Sequence, residues 1–392
     1  MRRRKPNYRK IGGFFLFLCL AVGFSIYWYV VKENTPVDGK KDPIVEEEEK
    51  DKPKVSSLEM IMVGDVLIHG NVYNDAKTGD TYDFSPMFSG VSDFIKDYDL
   101  AFYNQETPFG GKDMGYSGYP AFNTPSQVGD AMLDMGFNLV SLATNHTMDK
   151  GATGAVNSLG YWNSKDVLTA GSYLSPEDRD KVNIKEKNGI KYSMLAYTVS
   201  TNYAIPSGKS YLLNMYDKEK VTADINRLRD QVDLLVVSMH WGTEYANQPN
   251  AKQKEIAAYL ASLGVDIIIG THTHSVQPIE YIDGALVIYS LGNFISSQLN
   301  DDDLVGLMPT LKVTKKEENG KITMAISDLE ARLIYTYYKG GRTMKSVHTD
   351  HKVIPFDKIT TDDFPKYMDF YDKYKGVLTS MDETITVGAV NE

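Results

Sequence analysis

The sequence predicts an α/β fold: a mostly parallel or mixed sheet with helices on both faces, and α+β character toward the C-terminus. Three observations predict it. Six apolar runs read as strands and end in metal-type ligands, helical stretches alternate with them, and the pattern turns to paired strands after Phe294. The six runs are 60–65 (MIMVGD), 100–106 (LAFYNQE), 139–146 (LVSLATNH), 234–240 (LLVVSMH), 267–274 (IIIGTHTH) and 287–293 (VIYSLGN). In open α/β sheets functional groups collect beyond the carboxyl ends of strands. Six polar line-ends in one chain therefore point to one shared site, and a set of Asp, Glu, Asn and His suits a divalent-metal centre.

The elements follow in order. Arg2, Arg3, Arg4, Lys5, Arg9 and Lys10 form a basic tail over 1–10. The uncharged apolar stretch 11–31 is long enough to span a bilayer, with Trp28 and Tyr29 at an interfacial level. The basic cluster keeps the N-terminus cytoplasmic and places the rest outside the cell. A cleaved signal peptide is the rival, but the bulky run 24–29 (FSIYWY) lacks a small-residue cleavage site. Cys19 lies inside the span behind Leu18, a poor lipoprotein signal, and as the single cysteine it leaves the exported part without intrachain disulfides. Residues 32–57, with four consecutive glutamates at 46–49, read as a solvated tether. The main domain is expected over 58–299, and residues 300–392 as a β-rich extension with a terminal helix. Helices are expected over 127–135, 221–231 and 253–263, the last stopped by Gly264. Further strands are expected over 167–170 and 192–197. The later strands lie over 311–313, 322–326 and 329–335, with a hairpin at Asn319-Gly320 and a helix within 364–382.

The six cations of the first ten residues leave −16 for the remainder of a chain whose net charge is −10. So acidic a domain is a poor nucleic-acid binder. Polyanions would approach it only through bound cations or local basic patches.

His272-Thr273-His274 is the sharpest motif. Two residues apart on an extended strand, both imidazoles would face one side and reach one ion. Two ordinary surface histidines are the alternative. Asn145-His146, with Asp149 beyond, follows another strand; alone, such a pair more often caps a turn. Asp65, Asn104 and Glu106 are ordinary loop residues in isolation and gain meaning from their strand-end positions.

The strings GDVLIHG, NQETPF, ATNHTMDKG, SMHWGTEY, GTHTHSVQPIE and YSLGNF together resemble the CapA/PgsA family of capsule and poly-γ-glutamate synthesis proteins, distant relatives of calcineurin-like metallophosphoesterases. The similarity runs from about residue 58 to 298, and the N-terminal anchor and tether fit the same layout. The resemblance implies a metallophosphoesterase-like β-sandwich of mixed sheets flanked by helices. It also implies two divalent ions (Mn, Fe or Zn), held by Asp65, Glu106 as the bridge, Asn145, His240, His272 and His274. His146 would face the substrate as a catalytic residue. Glu244 would orient a ligand or act in catalysis, or be a solvated loop acid. His69, Asn104 and Asn293 are accessory candidates. One departure matters: Leu67 stands where the phosphoesterases carry a histidine, and His69 is the possible substitute. The implied partners are the membrane, other synthase subunits, and an anionic polymer or phosphoester substrate. A non-catalytic polymer-binding or scaffolding subunit and a general extracellular phosphoesterase are the alternatives.

Overall fold

The computed structural model describes residues 53–390; the expected basic tail, membrane span and most of the tether lie outside them. Among the described residues no helix is long and apolar enough to cross a membrane. In chain order the elements that matter are β1 (Lys54–Val66), α1 (Gly70–Asp75), β2 (Leu100–Gln105), α2 (Gln127–Asp134), β3 (Leu139–Ser141), α3 (Gly151–Trp162) and β4 (Leu168–Ala170). Next come β5 (Lys185–Lys187), β6 (Ile190–Thr198), α4 (Lys218–Leu228), β7 (Leu234–His240), α5 (Ala251–Ser262), β8 (Ile267–Thr271), β9 (Ile279–Ile282), β10 (Ala285–Ile288) and β11 (Asn293–Ile295). The chain closes with β12 (Val305–Glu318), β13 (Lys321–Lys339), β14 (Thr349–Pro355) and α6 (Tyr367–Leu378).

The strands build two mixed sheets. The larger runs β14-β13-β12-β1-β2-β3-β4, with β11 also pairing β1; the smaller runs β9-β10-β8-β7-β6-β5. In the larger sheet β1, β2, β3 and β4 are parallel neighbours, whereas β12 joins β1 antiparallel. In the smaller sheet β6, β7, β8 and β10 are parallel.

Period-2 alternation sorts the side chains. On β6 to β10, Met194, Ala196, Leu234, Val236, Ile267, Ile269, Leu286 and Ile288 share one buried core with Met60 to Val63 of β1 in the other sheet. The residues between them, Leu195, Tyr197, Leu235, Val237, Ile268 and Val287, form a second core under Val221 and Ile225 of α4 and Ile256 and Leu260 of α5. Trp162 of α3 packs against Tyr103 of β2 on the outer side of the larger sheet. Both α4 and α5 start at capped ends: Asp217 accepts from Lys220 N–H, and Asn250 and Gln253 cap each other reciprocally.

Two expected boundaries change. The tether does not reach residue 57, because Lys54 to Ser57 already pair with Glu317 to Thr314 and extend β1. Residues from 300 onward are no separate extension either. β12 supplies the antiparallel neighbour of β1, at the centre of the sheet, and the three short strands expected there are parts of two long ones joined at Asn319-Gly320.

Close backbone contact fixes the ends of β1 and β8. A Cβ at Gly64 would lie 1.8 Å from Gly292 O, and one at Gly270 would lie 1.9 Å from Tyr289 O. Each glycine directly precedes the polar strand end, so it lets β11 and β10 close in beside Asp65 and Thr271.

Candidate metal centre

All six expected ligands converge where the two sheets meet. Asp65 is the next-to-last residue of β1, and Asn293 at the start of β11 is its register partner. Glu106 directly follows β2, Asn145 and His146 lie four and five residues after β3, and His240 ends β7. Glu106, His240 and His272 bring ligand atoms within 4.8 Å of one another, and so do Asp65, Glu106 and His274. Glu106 belongs to both groups, the position of a bridging carboxylate.

The surrounding bonds aim the ligands. Asn104 Nδ2 donates to Asp65 Oδ1 at 2.7 Å, which leaves Oδ2 3.2 Å from His274 Nδ1. His240 places Nε2 2.8 Å from Asn145 Oδ1 and 3.7 Å from Glu106 Oε1, while its Nδ1 is anchored at 3.0 Å on Thr271 Oγ1. His274 Nε2 is also 3.7 Å from Glu106 Oε1. Its Nδ1 is held at 3.0 Å by Asn293 Oδ1, and Asn293 is itself fixed by donating to Asp303 O at 2.7 Å. Such outer partners set which nitrogen faces the ion.

The histidine pair is not on an extended strand. β8 stops at Thr271, and His272 and His274 take φ values of 92° and 55°. This turned backbone, sparsely populated for a β-carbon residue, sends the two rings to different ligand groups, with centroids 6.3 Å apart. The His272 ring instead lies tilted against that of His240, with centroids 4.6 Å apart.

The residues fit a cation. Both carboxylate oxygens of Glu106 and Nδ1 of His272 are buried without a hydrogen-bond partner, and orphaned buried acceptors of this kind are rare. Burial and the nearby Asp65 carboxylate push the Glu106 carboxyl well above the usual range. Burial and His274 pull His272 down to about 4, and burial and His272 also hold His240 well below its ordinary value. Burial opposes a charge on His274, but the Glu106 and Asp65 carboxylates prevail and raise it to about 10. A divalent ion bound here would compete with the proton on His274 for the same oxygens and ring nitrogens.

The remaining candidates divide. His146 sits beside the ligands with Nδ1 2.8 Å from Asp149 Oδ2; Asp149 in turn accepts from Phe122 N–H. Phe122 packs edge-on against the His146 ring at 4.8 Å. Asn104 and Asn293 orient ligands, as described. Glu244 is exposed on the loop after β7 and acts on Glu106 and His274 only through its charge. Leu67 is buried. His69 joins neither ligand group: its Nδ1 accepts from Ser297 N–H at 3.1 Å, and its ring packs on Phe122. Sequence reasoning missed Asn202, whose N–H donates to Asn145 O and whose amide lies 3.2 Å from His146 Nδ1. It also missed Thr271 and Asp303. These three lie in loops or act on other side chains, and no local pattern marks them.

The model of the family described as bacterial capsule synthesis protein PGA_cap matches residues 59–298. A PGA biosynthesis protein CapA from Bacillus subtilis (strain 168) is 34% identical over 42% of this chain and 44% of its own length. A capsule biosynthesis protein CapA from Bacillus anthracis is 27% identical over 62% of this chain and 60% of its own. The chain thus spans less than two thirds of these relatives. Among solved structures, a putative 5′-nucleotidase from Staphylococcus aureus is similar with a TM-score of 0.44 and 16% identity, covering 81% of this chain and 58% of that one.

Proposed function

This chain belongs to the bacterial capsule synthesis protein family PGA_cap, and we propose that it serves capsule or poly-γ-glutamate assembly as a metal-dependent hydrolase-like component anchored outside the cell membrane. The observation that carries the enzymatic reading is the Glu106 carboxylate, buried, unsatisfied and shared by two ligand groups. Glu106, His240, His272 and Asn145 would hold one divalent ion, and Asp65, Glu106 and His274 the other. Ions there would supply a Lewis acid that polarises a phosphoryl or carbonyl oxygen.

The chain's own residues provide the rest. Asp149 accepts from His146 Nδ1–H, which leaves Nε2 as the nitrogen able to pass a proton to a leaving group. Thr271 and Asn293 lock the rings of His240 and His274. The buried walls exclude bulk water. The substrate is a phosphoester or an amide within an anionic polymer, and synthase subunits in the membrane are the partners.

The second reading, a polymer-binding subunit without catalysis, draws on one observation: a buried Leu67 and a His69 turned to Ser297 leave the Asp65 side with fewer ligands than Glu106 serves on the other. Elemental analysis of the purified protein separates the two. Two ions per chain, with turnover of a phosphoester lost in His240→Ala and His274→Ala, support the hydrolase. A metal-free protein that still binds the polymer supports the subunit.

A further inference from the structure

Three histidines that the metal centre does not use, His69, His348 and His351, meet at a single residue, Ser297. It lies two positions past β11, at the end of the strand pair that carries Asp65. Its N–H donates to His69. Its Oγ lies 2.6 Å from His348 Nδ1 and 3.2 Å from His351 Nε2. The other nitrogen of His351, Nδ1, is 2.8 Å from Asp75 Oδ2. Asp75 also accepts from the N–H groups of Asp350, at 3.1 Å, and His351, at 2.8 Å. The groups come from α1 and the residue before it, the segment after β11, and β14 with the loop before it, so no local turn explains their meeting.

Counting hydrogens sharpens the picture. Gly341 O, 2.8 Å from His348 Nε2, can only accept, so Nε2 carries the hydrogen and Nδ1 a lone pair. Burial holds His348 below its ordinary value, which favours that neutral form. The Asp75 carboxylate can likewise only accept, so His351 points an Nδ1–H at it, and a neutral His351 keeps a lone pair on Nε2. Bonds from His351 and Asp350 outweigh burial and keep Asp75 ionised. In the neutral network two basic nitrogens therefore face a hydroxyl that has one hydrogen. A hydroxyl facing an imidazole whose other nitrogen is held by a fixed carboxylate is the arrangement that activates a serine.

We propose that Ser297 is a nucleophile, with His351 as its base and Asp75 as the positioning residue, forming a second reactive site for carboxylic esters and similarly activated acyl groups. Ser297 is 6% exposed, as open as His146 at 6% and His272 at 7%. The loop that carries His348 exposes Met344 and Val347, an apolar surface that suits an aliphatic acyl chain. In the reaction Ser297 Oγ bonds to the carbonyl carbon as its proton moves to His351 Nε2. The bond to the leaving alcohol breaks, and that alcohol takes the proton. Water then attacks the acyl-serine with the same base and releases the acid.

The test uses the full chain, with and without EDTA, treated with diisopropyl fluorophosphate and digested for peptide mass spectrometry. The expected result is an adduct on Ser297 that forms at the same rate in EDTA. His351→Gln should slow it about 100-fold. Asp75→Asn, which keeps the shape of the carboxylate, should slow it and shift the pH profile of labelling. Hydrolysis of p-nitrophenyl butyrate should follow the same order. No adduct on Ser297 in the unaltered protein, loss of labelling in EDTA, or an unchanged rate in His351→Gln overturns the proposal.

Discussion

His240 Nε2 sits 2.8 Å from Asn145 Oδ1 across 95 residues of chain, and 3.7 Å from Glu106 Oε1. The contact is a hydrogen bond between two groups that would otherwise share an ion. It ties the end of β7 to the loop after β3, so the pocket keeps its shape through the packing of the sheets.

Glu106→Gln separates ion binding from folding. A buried carboxylate without hydrogen bonds costs stability in the metal-free protein, so its neutral isostere should leave the melting temperature in EDTA unchanged or higher. The same variant should lose at least one bound ion by elemental analysis. A lower melting temperature in EDTA would mean that the carboxylate is structural.

Gly64→Ala should destabilise the fold by about 3 kcal/mol or more in urea unfolding, because the methyl collides with the backbone oxygen of Gly292, which has no rotamer to yield. Gly376→Ala is the contrast. It is exposed in α6 with open space around its missing Cβ, and should stabilise by about 0.5–1 kcal/mol.

Stability of the metal-free protein should fall as pH drops. The imidazole of His69 lies within the packed wall beside Phe122, and burial lowers its pKa from 6.5 to about 3. Its folded value is below its unfolded one, so the unfolded chain binds the proton first. The contribution is present above about pH 6.5 and is lost as pH falls toward 3. In His69→Gln the dependence of unfolding free energy on pH should be shallower by about one proton over that window. An unchanged slope would place the titration elsewhere.

Asp224 offers a test far from the pocket. Its carboxylate accepts from Arg179 at 2.7 Å, Arg227 at 2.6 Å and Tyr197 at 2.8 Å, and its side chain is 7% exposed. Asp224→Ala leaves two guanidinium groups and a phenol facing each other, and should cost about 3–5 kcal/mol in denaturant unfolding. Metal content should not change.

The pocket was legible because parallel strands end at one edge and polar residues there break apolar runs. That is how Asp65, Glu106, Asn145, His240, His272 and His274 could be named together. The bend at His272 was not legible: its positive φ belongs to the turn in which the chain leaves β8 for β9, and the tripeptide does not announce it. Asn202 and Asp303 act through one amide and one carbonyl, and hydrogen bonds of that kind leave no periodic trace. The central place of β12 escaped for a related reason. Antiparallel pairing over some 250 residues is written in two separated alternations, and neither names its partner.

The antiparallel join between β1 and β12 has a practical outcome. Cutting the protein at residues 59 and 298, where the family similarity starts and stops, would remove β12 together with the first part of β1 that pairs with it, and also the carbonyl that steadies Asn293. Such a fragment would leave the rest of β1 as an unpaired edge of the larger sheet and should aggregate. Expression work therefore has to carry the final ninety or so residues along with the ion pocket.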